Sequence, residues 1–298
     1  MGYRTSINPL APLLETLYRH SPRARMEDDP IVIPHRFTDP IEIELTGMLT
    51  ACFAYGRAPF FNETVDKILS LAHGSFPRYL KMFNLEKERS RFDGIQYRFN
   101  RSKDILCLVY IMSQVVKQYG GIKSLFMSCY KEGEEDIGPT LTRVIEVIQA
   151  INTTPVYGVM KKPTGLLHFF PSPAQKSACK RWNLYLRWMV RKDDGIDFGL
   201  WREIPPSKLI IPLDTHIARI GQYLGLTSRK SANWAMAKEI TQSLKGMDPL
   251  DPVKYDFSLC HLGISGACPV QPNAKKCFVC NLLPACKCGI STTRNRSF

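Results

Sequence analysis

LIIPLDTHIARIGQYLG, Leu209–Gly225, is the stretch from which the rest of the chain can be read. Ile217, Ile220 and Leu224 recur at helical spacing, so the second half predicts an amphipathic helix with one apolar face to bury. Pro212 disfavours helix at the residue before it and sets a turn. Asp214 or Thr215 can then accept from the free backbone N–H groups of the first turn. Taken alone, this is an ordinary helix start. Its interest comes from its flanks: a basic, aromatic helix upstream and a cluster of cysteines downstream.

Upstream, Met160–Lys192 holds eight basic residues (Lys161, Lys162, Lys176, Lys180, Arg181, Arg187, Arg191 and Lys192) and no acidic one. Thr164–Phe170 reads as a short helix, Pro171-Ser172-Pro173-Ala174 as a tight break, and Lys176–Val190 as a long helix with Trp182, Leu184, Leu186, Trp188 and Met189 among its apolar residues. A helix, tight hairpin and basic helix can set backbone N–H groups and cations against phosphates. The competing reading is a solvated basic face on an aromatic core. The absence of acidic partners within the segment favours phosphate.

Further upstream the pattern is helical throughout. Asp39-Pro40-Ile41-Glu42 predicts a helix start, with Asp39 as N-cap, Pro40 at the first position and Glu42 closing a capping box. Its apolar face comprises Ile41, Leu45, Met48, Leu49, Cys52 and Phe53. Stripes at Val65–Ala72, Ile105–Tyr119 and Leu141–Ile148 follow, separated by glycines and prolines. Only Ile31–Ile33 hints at β alternation, and prolines isolate it. The fold class expected is all-α.

The chain has 298 residues, 44% of them hydrophobic, with a net charge of +13 and ten cysteines. That length allows one large or two modest domains. The charge favours an anionic partner, nucleic acid or an acidic membrane surface. No apolar run reaches the length of a membrane span, and the N-terminus lacks the apolar core of a secretory signal. Met1-Gly2 with Ser6 fits a myristoylation pattern that recurs by chance. Cys52, Cys107, Cys129 and Cys179 sit singly in apolar helical surroundings, as small core residues do. Cys260, Cys268, Cys277, Cys280, Cys286 and Cys288 crowd the C-terminal end, which reads as a metal site rather than a disulfide framework. Its single Cys-x-x-Cys invites zinc, although structural zinc more often pairs two such knuckles.

Basic hairpin, Pro-Leu-Asp-Thr-His and cysteine loop, in that order, resemble the helix-hairpin-helix DNA glycosylases of the endonuclease III type. Within that superfamily KRWNLYLRWMVRKDDG, LIIPLDTHIARI and DPVKYDFSLCHLG look closest to an uncharacterised bacterial family. Endonuclease III carries Leu-Pro-Gly-Val-Gly-Arg-Lys-Thr-Ala-Asn, then Val-Asp-Thr-His, then cysteines spaced C-x6-C-x2-C-x5-C. Here Cys268, Cys277, Cys280 and Cys286 run C-x8-C-x2-C-x5-C, and IELTGMLTACFAYGR looks like the first barrel helix. The resemblance touches residues from about 41 to 286 as separated motifs. The hairpin FPSPAQKSACK lacks both glycines, and its lysine matches in two registers, Lys176 or Lys180. Lys180 is preferred because that register keeps the apolar pattern of the following helix. Arg191–Ser207 is inserted material that can alter or block the pocket.

The resemblance implies two lobes: a helical barrel over 39–192 ending in the hairpin, and a C-terminal lobe over 193–298, joined by residues 1–38, with the cysteine loop at 268–288. It implies a DNA-repair enzyme that cleaves the N-glycosidic bond of a flipped base, with or without lyase activity. Asp214 would stabilise the cationic sugar and orient water; the Lys180 amine, or that of Lys176, could instead attack the sugar and form a Schiff base. Lys161, Lys162, Lys176, Arg181, Arg187 and Arg57 would contact DNA. Cys268, Cys277, Cys280 and Cys286 would hold a [4Fe–4S] cluster, with zinc as the alternative. The protein expected is a cytoplasmic, nucleoid-associated monomer that binds lesion-containing duplex and no membrane. The rival is a non-catalytic DNA- or RNA-binding module that keeps the fold and cluster.

Overall fold

The computed structural model describes residues 9–20, 26–27 and 29–294, so the secretory-signal and myristoylation readings at residues 1–8 lie outside it. In chain order the helices are α1 (Leu10–Arg19), α2 (Pro40–Phe53), α3 (Ala58–Ser70), α4 (Phe76–Met82), α5 (Leu85–Glu88), α6 (Ser102–Tyr119), α7 (Ile122–Cys129) and α8 (Gly138–Ala150). They continue with α9 (Thr154–Tyr157), α10 (Thr164–Leu167), α11 (Lys180–Val190), α12 (Thr215–Leu224), α13 (Trp234–Lys245), α14 (Asp256–Ile264), α15 (Ala274–Phe278) and α16 (Lys287–Arg294). Among the described residues there is no strand, only an isolated bridge between Tyr97 and Asn100. The protein is all-α. Ile31 lies within a short 3-10 turn, and Ile33 sits between that turn and the next, instead of forming a strand.

α2 and α11 pack against each other at the centre. Asp39 caps α2 as the sequence predicts, accepting from the Ile41 N–H at 2.9 Å. Glu42 does not close the expected box; it accepts from the Phe76 N–H at 3.3 Å and ties α2 to α4. The single apolar face expected of α2 is also too narrow, for Ile43–Phe53 is buried on every side. A helix buried all round must satisfy its polar groups internally. Glu44 does so by accepting from the Ile122 and Lys123 N–H groups, at 2.7 and 3.2 Å, thereby capping α7. At Gly47 a Cβ would lie 3.2 Å from the Met189 methyl, so a small residue is what lets α2 and α11 approach.

The basic helix is shorter and drier than expected. It begins at Lys180 rather than Lys176, because Lys176 and Cys179 both take left-handed φ, 61° and 47°, which breaks helical hydrogen bonding. Every residue from Arg181 to Val190 is buried. Arg187 pairs with Asp197 and Asp256, and Arg191 with Asp194, Asp197 and Asp251. Their acidic partners are absent from Met160–Lys192 but arrive from residues 194–256, which local charge counting does not reveal. The 191–207 segment therefore packs behind α11: Asp197 binds both arginines and Trp201 is fully buried against Phe126 and Tyr185.

The N-terminal segment also meets the far end of the chain. Tyr18 donates to Asp194 at 2.7 Å, Lys254 bridges Glu15 and Asp248, and Asp29 accepts from His261 at 3.2 Å. No single described helix is long and apolar enough to cross a membrane.

Removing one partner from a buried ion network leaves the others uncompensated at a cost of about 3–5 kcal/mol. Arg191→Met should lower unfolding free energy by that order, read from urea denaturation at pH 7. A loss below about 1 kcal/mol would show that the carboxylates around it are adequately hydrated.

Candidate active site

A cavity of about 730 Å³ opens where the N-terminal segment, the end of α2, the start of α11, the head of α12 and the first turns of α14 meet. Its polar wall consists of Asp29, Arg57, Lys180, Arg187, Asp214, His216, Asp256 and Cys260; Tyr55, Phe61, Leu184 and Phe257 supply apolar surface. Concave, mostly apolar sites with a few convergent polar groups are the usual form of a small-molecule or flipped-base pocket.

Asp214 stands at the mouth of α12 for a reason legible in its neighbours. Pro212 and Leu213 run extended into the helix, and Asp214 is its N-cap, with Oδ1 accepting from the His216 and Ile217 N–H groups at 2.8 Å each. Ile217, Ile220 and Leu224 are buried as their spacing predicts. Oδ2 is left to face the cavity and receives the Cys260 thiol at 3.4 Å. Burial pushes that thiol well above the ordinary cysteine range, and the adjacent Asp214 and Asp256 charges push the same way, so Cys260 remains a donor. α14 approaches closely at this point. A Cβ on Gly263 would fall 2.4 Å from His216 Nδ1.

Lys180, at the first turn of α11, also lines the cavity and donates from Nζ to the Ala54 carbonyl at 3.1 Å. Lys176 does not line it; it is exposed in the hairpin, its own carbonyl accepting from the Trp234 N–H. Asp214 and Lys180, thirty-four positions apart in sequence, thus share one wall.

The expected phosphate contacts divide into two groups. Arg57, Lys161 and Lys176 are exposed and Lys162 is half-buried, so these remain available to an anion. Arg57 also borders a neighbouring hollow with Phe60, Lys67 and Arg98. Arg181 and Arg187 are corrections. Arg181 is 8% exposed, donates to the Cys52 carbonyl at 2.8 Å and to the His168 carbonyl, and lies 5.1 Å over the Tyr55 ring. Arg187 is 2% exposed and held by two carboxylates. Neither guanidinium is open to a DNA backbone.

Two groups on this wall, Asp29 and Asp256, are not singled out by sequence, and Cys260, counted there with the clustered cysteines, stands on this wall instead of in their pocket. Asp256 and Cys260 are four residues apart on α14, a spacing that puts both on one face, but nothing local says that this face meets α12. His261 stacks on Phe257, 4.2 Å between ring centres, and binds Asp29.

A family model described as "Protein of unknown function (DUF2400)" matches residues 29–265. The chain belongs to the DUF2400 family. The matched span opens at Asp29 and closes just after Ile264, which are the first and last residues lining the cavity. No curated protein and no solved structure matches the chain.

The cysteine loop lies beyond that span. Cys268, Cys277, Cys280 and Cys286 nevertheless line one small pocket together with Cys288 and Tyr223. The Gly289 N–H donates to Cys286 Sγ at 3.2 Å, and Arg219 holds the Cys268 carbonyl at 2.8 Å. Burial raises the Cys268 thiol to about 11 and raises Cys286 as well, so a bound cation is what would make thiolates of them. Among the described residues no three His, Cys, Asp or Glu side chains converge closely enough for a single metal ion. Tetrahedral zinc brings its sulfurs to within about 4 Å of one another, whereas a cluster with a different iron under each thiolate spaces them more widely.

Since Asn can keep the N-cap interaction and Ala cannot, Asp214→Ala should lower stability by about 1 kcal/mol and Asp214→Asn by less than half of that. Thermal unfolding of the two variants checks this; equal losses would mean that the carboxylate, not the cap, holds the helix start.

Proposed function

We propose that this protein is a base-excision DNA glycosylase, in two helical lobes with DNA lying across the cavity mouth. The observation that carries the reading is the convergence of Asp214 and Lys180 on one 730 Å³ cavity. An N-glycosidic bond breaks through a sugar that develops positive charge, which an adjacent carboxylate stabilises. Asp214 offers one oxygen for that purpose while two backbone N–H groups fix the other. The Lys180 amine is the nucleophile if the reaction proceeds through a Schiff base; water oriented by Asp214 is the nucleophile if it does not.

The hairpin supports the same reading. In the register that sets Lys180 on the motif lysine, Lys176 falls on the first motif glycine, and Lys176 has the left-handed φ a glycine there would adopt. The exposed Arg57, Lys161 and Lys176, with half-buried Lys162, supply cations for the backbone, fewer than the sequence promised. For the C-terminal loop the C-x8-C-x2-C-x5-C spacing, with a single Cys-x-x-Cys, suits a [4Fe–4S] cluster better than zinc. Cys268, Cys277, Cys280 and Cys286 would hold it, and its role there is to brace the loop beside α12.

Two experiments test these assignments. Single-lesion duplexes incubated with the protein and borohydride should yield a trapped covalent adduct if Lys180 is the nucleophile. Lys180→Gln should then abolish trapping, and Asp214→Asn should slow excision by about 100-fold or more while leaving DNA affinity within about threefold. Tight binding with no turnover on any lesion would favour the binding module. Protein purified without oxygen should absorb broadly near about 400 nm and lose that band on Cys280→Ser; a colourless, stoichiometrically zinc-loaded protein would end the cluster assignment.

A further inference from the structure

We infer that Asp256 is the proton donor of this cavity, delivering a proton to the leaving group, so that the substrate class is a lesion whose base carries a basic ring nitrogen, namely a purine. The inference rests on the base-excision reading and adds to it a second working carboxyl.

The argument begins with a charge imbalance. Arg187 and Arg191 are the two cations of the buried network, and they face four carboxylates, Asp194, Asp197, Asp251 and Asp256. Asp194 and Asp251 reach the rim, with 12% and 15% of their side chains exposed, and there water shares their charge. Asp197 is sealed but touches both arginines. Asp256 is sealed and touches one, Arg187, through Oδ2. Its Oδ1 is buried with no hydrogen-bond partner among the described residues. A buried oxygen left in this state is rare and costly unless something else completes it. Asp256 lines the cavity, so water or a ligand there is able to complete it.

The surroundings set the protonation state. Arg187 and Lys180 face Asp256 from α11, Asp214 from the head of α12, Cys260 from its own helix and Asp29 from the N-terminal segment. Burial raises the Asp256 carboxyl to about 6, Arg187 pulls it down, and the nearby Asp214 charge pushes it up. About half of Asp256 is therefore a carboxylic acid at pH 6 and about a tenth at pH 7, with Oδ1 as an unpartnered donor. Asp214 is tied to two N–H groups and a thiol instead. Two carboxyls in one site with opposite environments divide into an acid and an anion.

The balanced step follows. The C–N glycosidic bond breaks and its electron pair goes to the base; Asp256 gives its proton to the basic ring nitrogen, and the base leaves neutral. Water, or the Lys180 amine, forms the new bond to the sugar carbon, and the proton it loses passes to Asp214. Solvent then returns Asp256 to the acid and Asp214 to the anion.

Single-turnover excision from duplexes carrying one purine or one pyrimidine lesion, followed from pH 5 to 8, tests the assignment. The purine rate should fall about tenfold per pH unit above about 6. Asp256→Asn, which keeps an acceptor for Arg187 but not its charge partner, should remove that limb and slow purine excision by about 100-fold at pH 6, with a lowered unfolding midpoint and DNA affinity unchanged. A folded Asp256→Asn protein with wild-type rate and profile overturns the inference and leaves the base-excision reading standing. So does excision confined to pyrimidines, or a flat wild-type purine profile. If Asp256→Asn does not fold, the wild-type comparison decides: a limb near pH 6 on purines and none on pyrimidines supports the inference, and any other pattern overturns it. No excision from any duplex overturns both readings together.

Discussion

Arg187 is the group on which the middle of this molecule depends. A guanidinium 2% exposed requires compensation, and it obtains this from Asp197 on the segment that follows α11 and from Asp256 at the start of α14. That requirement pins three parts of the chain to one point. It also determines where the cavity wall runs, because Lys180 lies two helical turns before Arg187 and Cys260 one turn after Asp256. Buried ion pairs contribute little net stability compared with apolar packing, but they discriminate sharply against arrangements that leave a charge unpaired. In this fold the discrimination falls on how α11 meets α14.

The cavity thus inherits its chemistry from the means by which it is assembled. The network that fixes α14 leaves Asp256 with half of its carboxyl unpaired, and the cap that starts α12 leaves Asp214 with one oxygen free. Both are structural residues first. Under the proposed reading each carries a reaction role on the oxygen that the fold does not use. Pre-organisation of this kind avoids reordering at the moment of reaction. The Cys260 thiol strengthens it by holding the free oxygen of Asp214 in place without competing for its charge.

The family span and the cysteine loop separate along the same line. Everything lining the cavity falls within residues 29–265, while the five clustered cysteines that share a pocket follow that span. The loop is tied to two helices that line the cavity: Arg219 and Tyr223 of α12 hold the Cys268 and Val270 carbonyls, and the Cys268 N–H donates to the Leu262 carbonyl of α14.

Local pattern was enough to read several elements. The helix start at Asp214, its buried stripe, the Asp39 cap and the all-α class all follow from spacing, capping and proline rules that operate within one or two turns. The clustered cysteines line one pocket, but among the described residues no three of them converge closely enough for a single metal ion. What the sequence by itself could not decide was which charges face water. Arg181, Arg187 and Arg191 look like a free cationic surface when only their own segment is counted, and their partners lie up to 129 residues away. The same limit hid Asp29 and Asp256, and set Cys260 among the wrong cysteines; their significance lies in facing Asp214 and Lys180 across helices distant in sequence. Helix formation is a short-range matter of backbone hydrogen bonds and apolar spacing, so the sequence determined it. The pairing of buried charges and the identity of an orphaned oxygen depend on which helices meet, and only the tertiary structure decided that.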